Sequence, residues 1–385
     1  VTERDKMDAK HLTANLPSTP AFVLDEQTLL SNLSVLKSIK QQSGCEVLYS
    51  IKALPLSWLM HLAKDFVDGF SVSSLFEARM AKEIIGDEGS IHITTPGLRD
   101  DEFMEISQLC SHISFNSISQ YQRLAHTSLS SYSQGLRINP QCSFADDLRY
   151  DPCRPYSKLG LSMPLSKTLT EHMDGLHFHN VFSNTDYGAL IKTIAQIRTL
   201  SGCRLSDLQW INLGGGYLYN QINNHQPLIR LIKQLTEDYQ LTVFIEPGKA
   251  IVGNAGFIVT TIIDCFESDG KQVCVLDTSV NHNPEVFEYQ QKPELLEHDS
   301  KGNYSCLLVG STCLAGDLFG EYRLQTMPKV GDRLVFANVG AYSLIKANRF
   351  NGYNLPDVYK VDKLGSMQRI KHNSYQSYRE QWGEP

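Results

Sequence analysis

The chain has 385 residues, 42% of them apolar and 20% charged, with 35 Lys and Arg against 42 Asp and Glu for a net charge of −7. This is ordinary globular composition, so disordered, collagenous and coiled-coil classes are excluded, and the length suits about two domains. An acidic chain without a long basic run speaks against nucleic acid or an anionic membrane as partner and slightly favours a small cationic ligand.

The polar start, residues 1–18, reads as loose chain, and Val1–Lys10 lacks the apolar core of a signal peptide. Ala21–Leu24, after Pro20, is the first strand-like run. Eight more short apolar runs follow: Val47–Ile51, Val67–Val72, Ile91–Thr94, Ile113–Phe115, Leu136–Ile138, Leu176–Phe178, Trp210–Leu213 and Val243–Ile245. Helical spacing fills the gaps, as in Leu56–Lys64, Ser74–Ile85, Asp101–Leu109 and Pro227–Tyr239. Eight such units in succession predict an α/β fold, a (β/α)8 TIM-like barrel over residues 28–255, with a doubly wound open sheet as the alternative. From residue 256 to 385 the pattern changes. Gly256–Ile263, Val273–Asp277, Ser305–Val309 and Arg333–Phe336 read as strands joined by turn residues. This predicts a mostly-β second domain, with the N-terminal strand within 1–27 joining it.

The nine cysteines, Cys45, Cys110, Cys142, Cys153, Cys203, Cys265, Cys274, Cys306 and Cys313, are scattered and form no C-x-x-C pair. That argues against a disulfide framework or a metal site and for a reducing compartment. No apolar run approaches the roughly 18 residues that a membrane helix needs. A cytoplasmic protein is the expectation.

Barrel chemistry gathers where strands end. Just past the proposed strands stand Lys52, His179, Gly214–Gly216 and Glu246. A lysine leaving an apolar strand is either a snorkelling surface residue or a desolvated amine able to form a Schiff base. Gly214-Gly215-Gly216 is either a tight turn or a cradle for an anion such as phosphate, and it is not a dinucleotide fingerprint. Glu246 is either a salt-bridge partner, for instance of Lys249, or a carboxylate that keeps a pyridinium nitrogen protonated. Alternation places His177 and His179 on one face; each is either a packed histidine or, for His179, a ring that stacks on a flat cofactor. Cys313 lies between glycine-rich turns and Tyr342 in a turn, and either can be structural.

Together, Thr19–Asp25, Ser50–Ala53, Ser73–Ala78, Gly175–Asn180, Asn212–Gly216, Glu246–Ala250, His282–Val286, Cys313–Asp317 and Phe350–Pro356 resemble fold type III pyridoxal-phosphate enzymes, the alanine racemase and ornithine/diaminopimelate decarboxylase group. The sequence is most similar to the carboxynorspermidine/carboxyspermidine decarboxylase branch. The resemblance implies pyridoxal 5'-phosphate carried on Lys52, His179 stacked on its ring, Glu246 at the ring nitrogen, and Gly214, Gly215, Gly216 and Tyr342 around the phosphate. Glu77 would support the cofactor. Cys313 would arrive from the partner subunit of a homodimer and protonate the substrate carbon. Glu285, Glu288 and Asp317 are candidate acids for a cationic tail. The sequence departs from the ornithine-type pattern at Ser71, at Asn180-Val181-Phe182, at Lys249 and after Cys313. The implied activity is decarboxylation of carboxynorspermidine or carboxyspermidine in polyamine biosynthesis. Alternatives are a decarboxylase of diaminopimelate or ornithine, a non-catalytic relative, and a Schiff-base aldolase that uses Lys52 without a cofactor.

Overall fold

The computed structural model describes residues 12–13, 15–127, 131–145, 147–165, 172–200 and 205–383. They form two compact units. One is Asn32–Ile251; the other joins the described part of Val1–Ser31 to Val252–Pro385. The chain enters through β1 (Ala21–Asp25) and α1 (Glu26–Ser43).

The Asn32–Ile251 unit is a barrel. Its parallel strands are β2 (Glu46–Ser50), β3 (Gly69–Val72), β4 (Ser90–Thr94), β5 (His112–Phe115), β6 (Ser133–Asn139), β8 (Gly175–His177), β9 (Trp210–Asn212) and β10 (Thr242–Ile245), while β7 (Leu161–Ser162) is a short appendage of β6. The order runs β5-β4-β3-β2-β10-β9-β8-β6, and β5 pairs with β6 to close the ring. Each of the eight apolar runs supplies one strand, so the closed barrel is observed and the open sheet is excluded. The strands are short and largely buried on both lumen and outer face, although several alternate apolar with polar residues, as Leu136-Arg137-Ile138 does in β6.

The outer helices show why local sequence folds this way. At α2 (Leu75–Ile85), Ser74 Oγ accepts the Glu77 amide at 3.2 Å while Glu77 Oε2 accepts the Ser73 amide at 2.7 Å. Ser117 and Gln120 repeat this device at α3 (Ile118–Leu124), where Gln120 Oε1 accepts the Asn116 amide at 2.7 Å. Both resemble a capping box, which satisfies amides that the first helical turn leaves open. In α4 (Gln226–Tyr239), Leu228, Ile229, Leu231, Ile232 and Leu235 are buried, the apolar stripe of a helix laid against a sheet.

The N-terminal end of the lumen is filled by Trp210, Phe244, His92 and His112. The two imidazoles stack with centroids 3.9 Å apart. Trp210 Nε1 donates to Ser133 Oγ at 2.8 Å. Its ring occupies the space above two glycines: a Cβ would lie 2.3 Å from the indole at Gly135 and 2.0 Å at Gly175.

The second unit is a mixed sheet ordered β15-β14-β12-β11-β1-β17-β18, with β16 on β11 and β13 on β16. Its strands are β11 (Gly256–Ser268), β12 (Lys271–Leu276), β13 (Glu294–Leu295), β14 (Tyr304–Val309), β15 (Leu318–Leu324), β16 (Arg333–Ala337), β17 (Asp357–Val361) and β18 (Met367–Lys371). β1 sits inside this sheet, antiparallel to β11 and parallel to β17. The four strands expected here are present. β13, β15, β17 and β18 were not foreseen.

The loose start is corrected in part. Residues 1–11 and 14 lie outside the described residues. Leu12 and Leu16 are buried in a core with Ala21, Val23, Phe257, Val335 and Tyr359. Arg333 donates to the Thr13 and Leu16 carbonyls at 2.8 and 2.7 Å. Among the described residues no helix is long and apolar enough to cross a membrane.

Candidate active site

Lys52 leaves β2 in a single tight turn, Ile51–Ala53. The Ser50 amide donates to Pro247 O at 2.9 Å, which ties the ends of β2 and β10 together. Water reaches the lysine in the open mouth. The surrounding protein mass still lowers its pKa; Glu246 and Glu77 oppose that shift and Arg137 adds to it. The amine is therefore more available as a neutral nucleophile than a surface lysine.

Glu246 is buried just beyond β10. Its Oε1 accepts the Asn212 side-chain amide at 2.8 Å, and its Oε2 lies 3.5 Å from His177 Nε2. Burial alone would raise its pKa. His177, Lys52 and the Asn212 amide overcome that and hold the carboxylate well below its usual range. Glu246 is thus a deep, ionised acid. It is not a partner of Lys249, whose Nζ sits 3.3 Å from Ser183 Oγ and 5.3 Å above the Phe182 ring. Phe182 in turn stacks on Tyr150 at 4.2 Å. The departures at 182 and 249 are therefore in contact with each other.

The glycine triplet is required by geometry. Gly214 and Gly216 have φ of +68° and +94°. A Cβ at Gly215 would lie 2.2 Å from Glu246 O. The Gly215 amide donates to His179 Nδ1 at 3.2 Å. Nδ1 is therefore an acceptor and the ring carries its proton on Nε2. Burial, with Lys52 and Arg137, lowers the His179 pKa far below that of a free imidazole, so the ring is neutral.

Lys52, Glu77, His177, His179, the glycine loop and Glu246 thus belong to one barrel mouth. Sequence reading missed Arg137. It is buried on β6, and it couples electrostatically to Glu246, Lys52 and both histidines. Its signal was its place between Leu136 and Ile138: on a barrel strand whose outer face is covered, a charged residue between two apolar ones must face the lumen.

The other candidates belong to the second unit. Cys313 is exposed, and its amide donates to Asn351 Oδ1 at 2.7 Å. Asp317 is buried and accepts from Ser279 Oγ at 2.9 Å, Val280 N at 2.8 Å, Thr312 N at 3.1 Å and Thr312 Oγ1. It braces the turn that carries Cys313, and both of its carboxylate oxygens already accept hydrogen bonds there. Glu285 and Glu288 lie 3.8 and 2.6 Å from Lys346 Nζ. Tyr342 adopts φ of +62°, and burial, with Glu285 adding to it, pushes its phenol up to about 12.

A barrel with a nucleophilic lysine, an ionised acid and a glycine cradle at its mouth, followed by a β domain, defines a pyridoxal-phosphate enzyme of the barrel type. Residues 21–340 match the family described as pyridoxal-dependent decarboxylase, C-terminal sheet domain, and the chain belongs to that family. It is a pyridoxal-phosphate-dependent decarboxylase. It is 33% identical over 376 residues to a carboxynorspermidine/carboxyspermidine decarboxylase of Campylobacter jejuni, covering 94% of this chain and 97% of that protein. It is 34% identical to a carboxyaminopropylagmatine decarboxylase of Synechocystis, with 96% of each covered. The crystal structure of the Campylobacter jejuni carboxynorspermidine decarboxylase complexed with norspermidine superposes with a TM-score of 0.86 at 30% identity, over 94% of this chain and 100% of that one. The Helicobacter pylori diaminopimelate decarboxylase, at 18% identity and TM-score 0.78, shares the fold.

Proposed function

We propose that this decarboxylase acts on carboxynorspermidine or carboxyspermidine, releasing CO2 and the corresponding triamine. The observation that carries the chemistry is the ionised Glu246 in the same mouth as Lys52. The substrate class is supported by near full-length similarity to enzymes of that name in Campylobacter jejuni and Herminiimonas arsenicoxydans. The similarity to the Synechocystis enzyme favours carboxyaminopropylagmatine as a second reading.

The barrel mouth fits pyridoxal phosphate. Its amine has a lowered pKa, its glycine loop leaves no room for side chains, and the buried His177 ring nitrogens lack hydrogen-bond partners. Lys52 would hold the aldehyde carbon, His179 would cover one ring face, and Glu246 would keep the ring nitrogen protonated. Gly214, Gly215 and Gly216 would receive the phosphate, with Lys249 and Ser183 close to the loop. Glu77 would help to hold the Lys52 region. When bound, the cofactor supplies an electron sink for the pair left by Cα–CO2 cleavage.

The chain's own groups do the rest. Glu246 stays ionised because its donors outweigh burial, so it would offer a full negative charge to a proton on the ring nitrogen. His179 is neutral and does not oppose that proton. Cys313, contributed from a partner subunit in a homodimer, would deliver the proton that replaces CO2. Glu285 and Glu288, now held by Lys346, would receive an ammonium of the tail.

CO2 release measured in parallel from carboxynorspermidine, carboxyspermidine, carboxyaminopropylagmatine, diaminopimelate and ornithine tests the reading. A clear preference in kcat/KM for either carboxylated triamine is expected. Preference for diaminopimelate or ornithine overturns it.

A further inference from the structure

His177 has a setting that packing does not explain. It ends β8 and is 1% exposed, and neither ring nitrogen has a hydrogen-bond partner. An unsatisfied buried polar group is destabilising, a cost that an apolar side chain of similar size would avoid. Its Nε2 faces Glu246 Oε2 at 3.5 Å, within ion-pair range but long for a formed N–H···O bond. Catalytic contacts of this kind often tighten only when the ligand is in place.

The rest of the carboxylate is already fixed. Oε1 is held by the Asn212 amide, and Asn212 Oδ1 accepts the Gly214 amide at 2.9 Å. Only Oε2 remains to be oriented. The groups around the imidazole are Lys52, Arg137, Glu246 and the neutral rings of His92 and His179. Burial lowers the His177 pKa against the pull of Glu246, with Arg137 and Lys52 adding to the shift.

We propose that His177 is a positioning residue for Glu246, an imidazole that donates a hydrogen bond from its Nε2–H to Oε2 and so fixes the carboxylate from its second side. The proposal rests on the role given above to Glu246 at the cofactor's ring nitrogen. Asn212 and His177 are both uncharged donors. They orient the carboxylate without discharging it, and the negative charge is left for the ring proton. A lysine or arginine at position 177 would compete for that charge.

The test uses apoprotein reconstituted with pyridoxal phosphate carrying 15N in the ring, with the nitrogen shift followed by NMR across pH. The variants are His177→Gln, which keeps a donor, and His177→Phe, which keeps only bulk. Wild type and His177→Gln are expected to hold the ring proton into alkaline pH. His177→Phe is expected to lose it at least about one pH unit earlier, with kcat down roughly tenfold and KM nearly unchanged. A His177→Phe titration that overlays wild type overturns the proposal, and so does a His177→Gln variant that behaves like His177→Phe. A wild-type nitrogen that titrates like the free cofactor is a different result: it removes the role of Glu246, and the proposal falls with it.

Discussion

Asp317→Ala separates bracing from ligand reading at one residue. The side chain accepts four hydrogen bonds, two from hydroxyls (Ser279, Thr312) and two from backbone amides (Val280, Thr312). Hydroxyls can rotate to new partners; the amides cannot. Ser279 and Val280 are buried, so the Val280 amide is orphaned outright. An orphaned buried donor costs about 1–3 kcal/mol, and bonds to a charged acceptor lie at the upper end. With the Thr312 amide partly exposed, the expected loss is about 3–4 kcal/mol. Asp317→Asn keeps one acceptor oxygen and should lose roughly half as much. The assay is denaturant unfolding of both variants with steady-state kinetics under native conditions. Bracing predicts reduced stability, and a fall in kcat as the Cys313 turn loosens, with KM little affected. Unchanged stability with a large rise in KM would refute the reasoning and return Asp317 to the substrate's tail.

Lys52→Ala should abolish turnover and covalent retention of pyridoxal phosphate after borohydride, checked by intact mass. Glu246→Gln should lower kcat by about 3 kcal/mol in barrier, near a hundredfold, read from single-turnover CO2 release. Gly215→Ala should weaken cofactor binding, because the new methyl meets Glu246 O at 2.2 Å; a fluorescence titration measures it. The His92–His112 stack should give acid sensitivity. Burial pushes His112 from 6.5 down to about 4, and His92 falls well below its usual value. A folded-state pKa below the unfolded one means that the unfolded chain takes up protons first, so stability falls as pH drops from about 6.5 toward 4 and is flat above. His112→Phe should flatten that slope in unfolding experiments at pH 7, 6 and 5.

Strands buried on both faces were legible as short runs rich in branched apolar residues; Val243–Ile245 is uninterrupted, and Ile91–Thr94 stays readable despite His92. The edge strand Met367–Lys371 reads MQRIK and is largely solvent-facing, so it carries no such run. Leu318–Leu324 is interrupted by Gly320, Glu321 and Arg323. Leu12 and Leu16 were lost in polar surroundings, since two leucines four apart signal a core only once the sheet they meet is known. In the barrel mouth, residues directly after a strand were found by position. Arg137 lies inside a strand and escaped. The opposite roles of two acids, Glu246 ionised in the lumen and Asp317 bracing a turn, depend on which donors surround them, and donors distant in sequence leave no local pattern.

The indole at the barrel floor links three distant positions into one unit of variation. Trp210 needs hydrogen, and nothing larger, as the side chain at 135 and 175. A methyl at either forces the ring aside, and the Ser133 bond holds it where it is. A change at 175 is therefore tolerable only alongside a smaller residue at 210, and a chain that had lost the tryptophan would be free to fill both glycines. Covariation among these three sites should be visible in relatives as one missing combination, a tryptophan at 210 beside any side chain at 135 or 175.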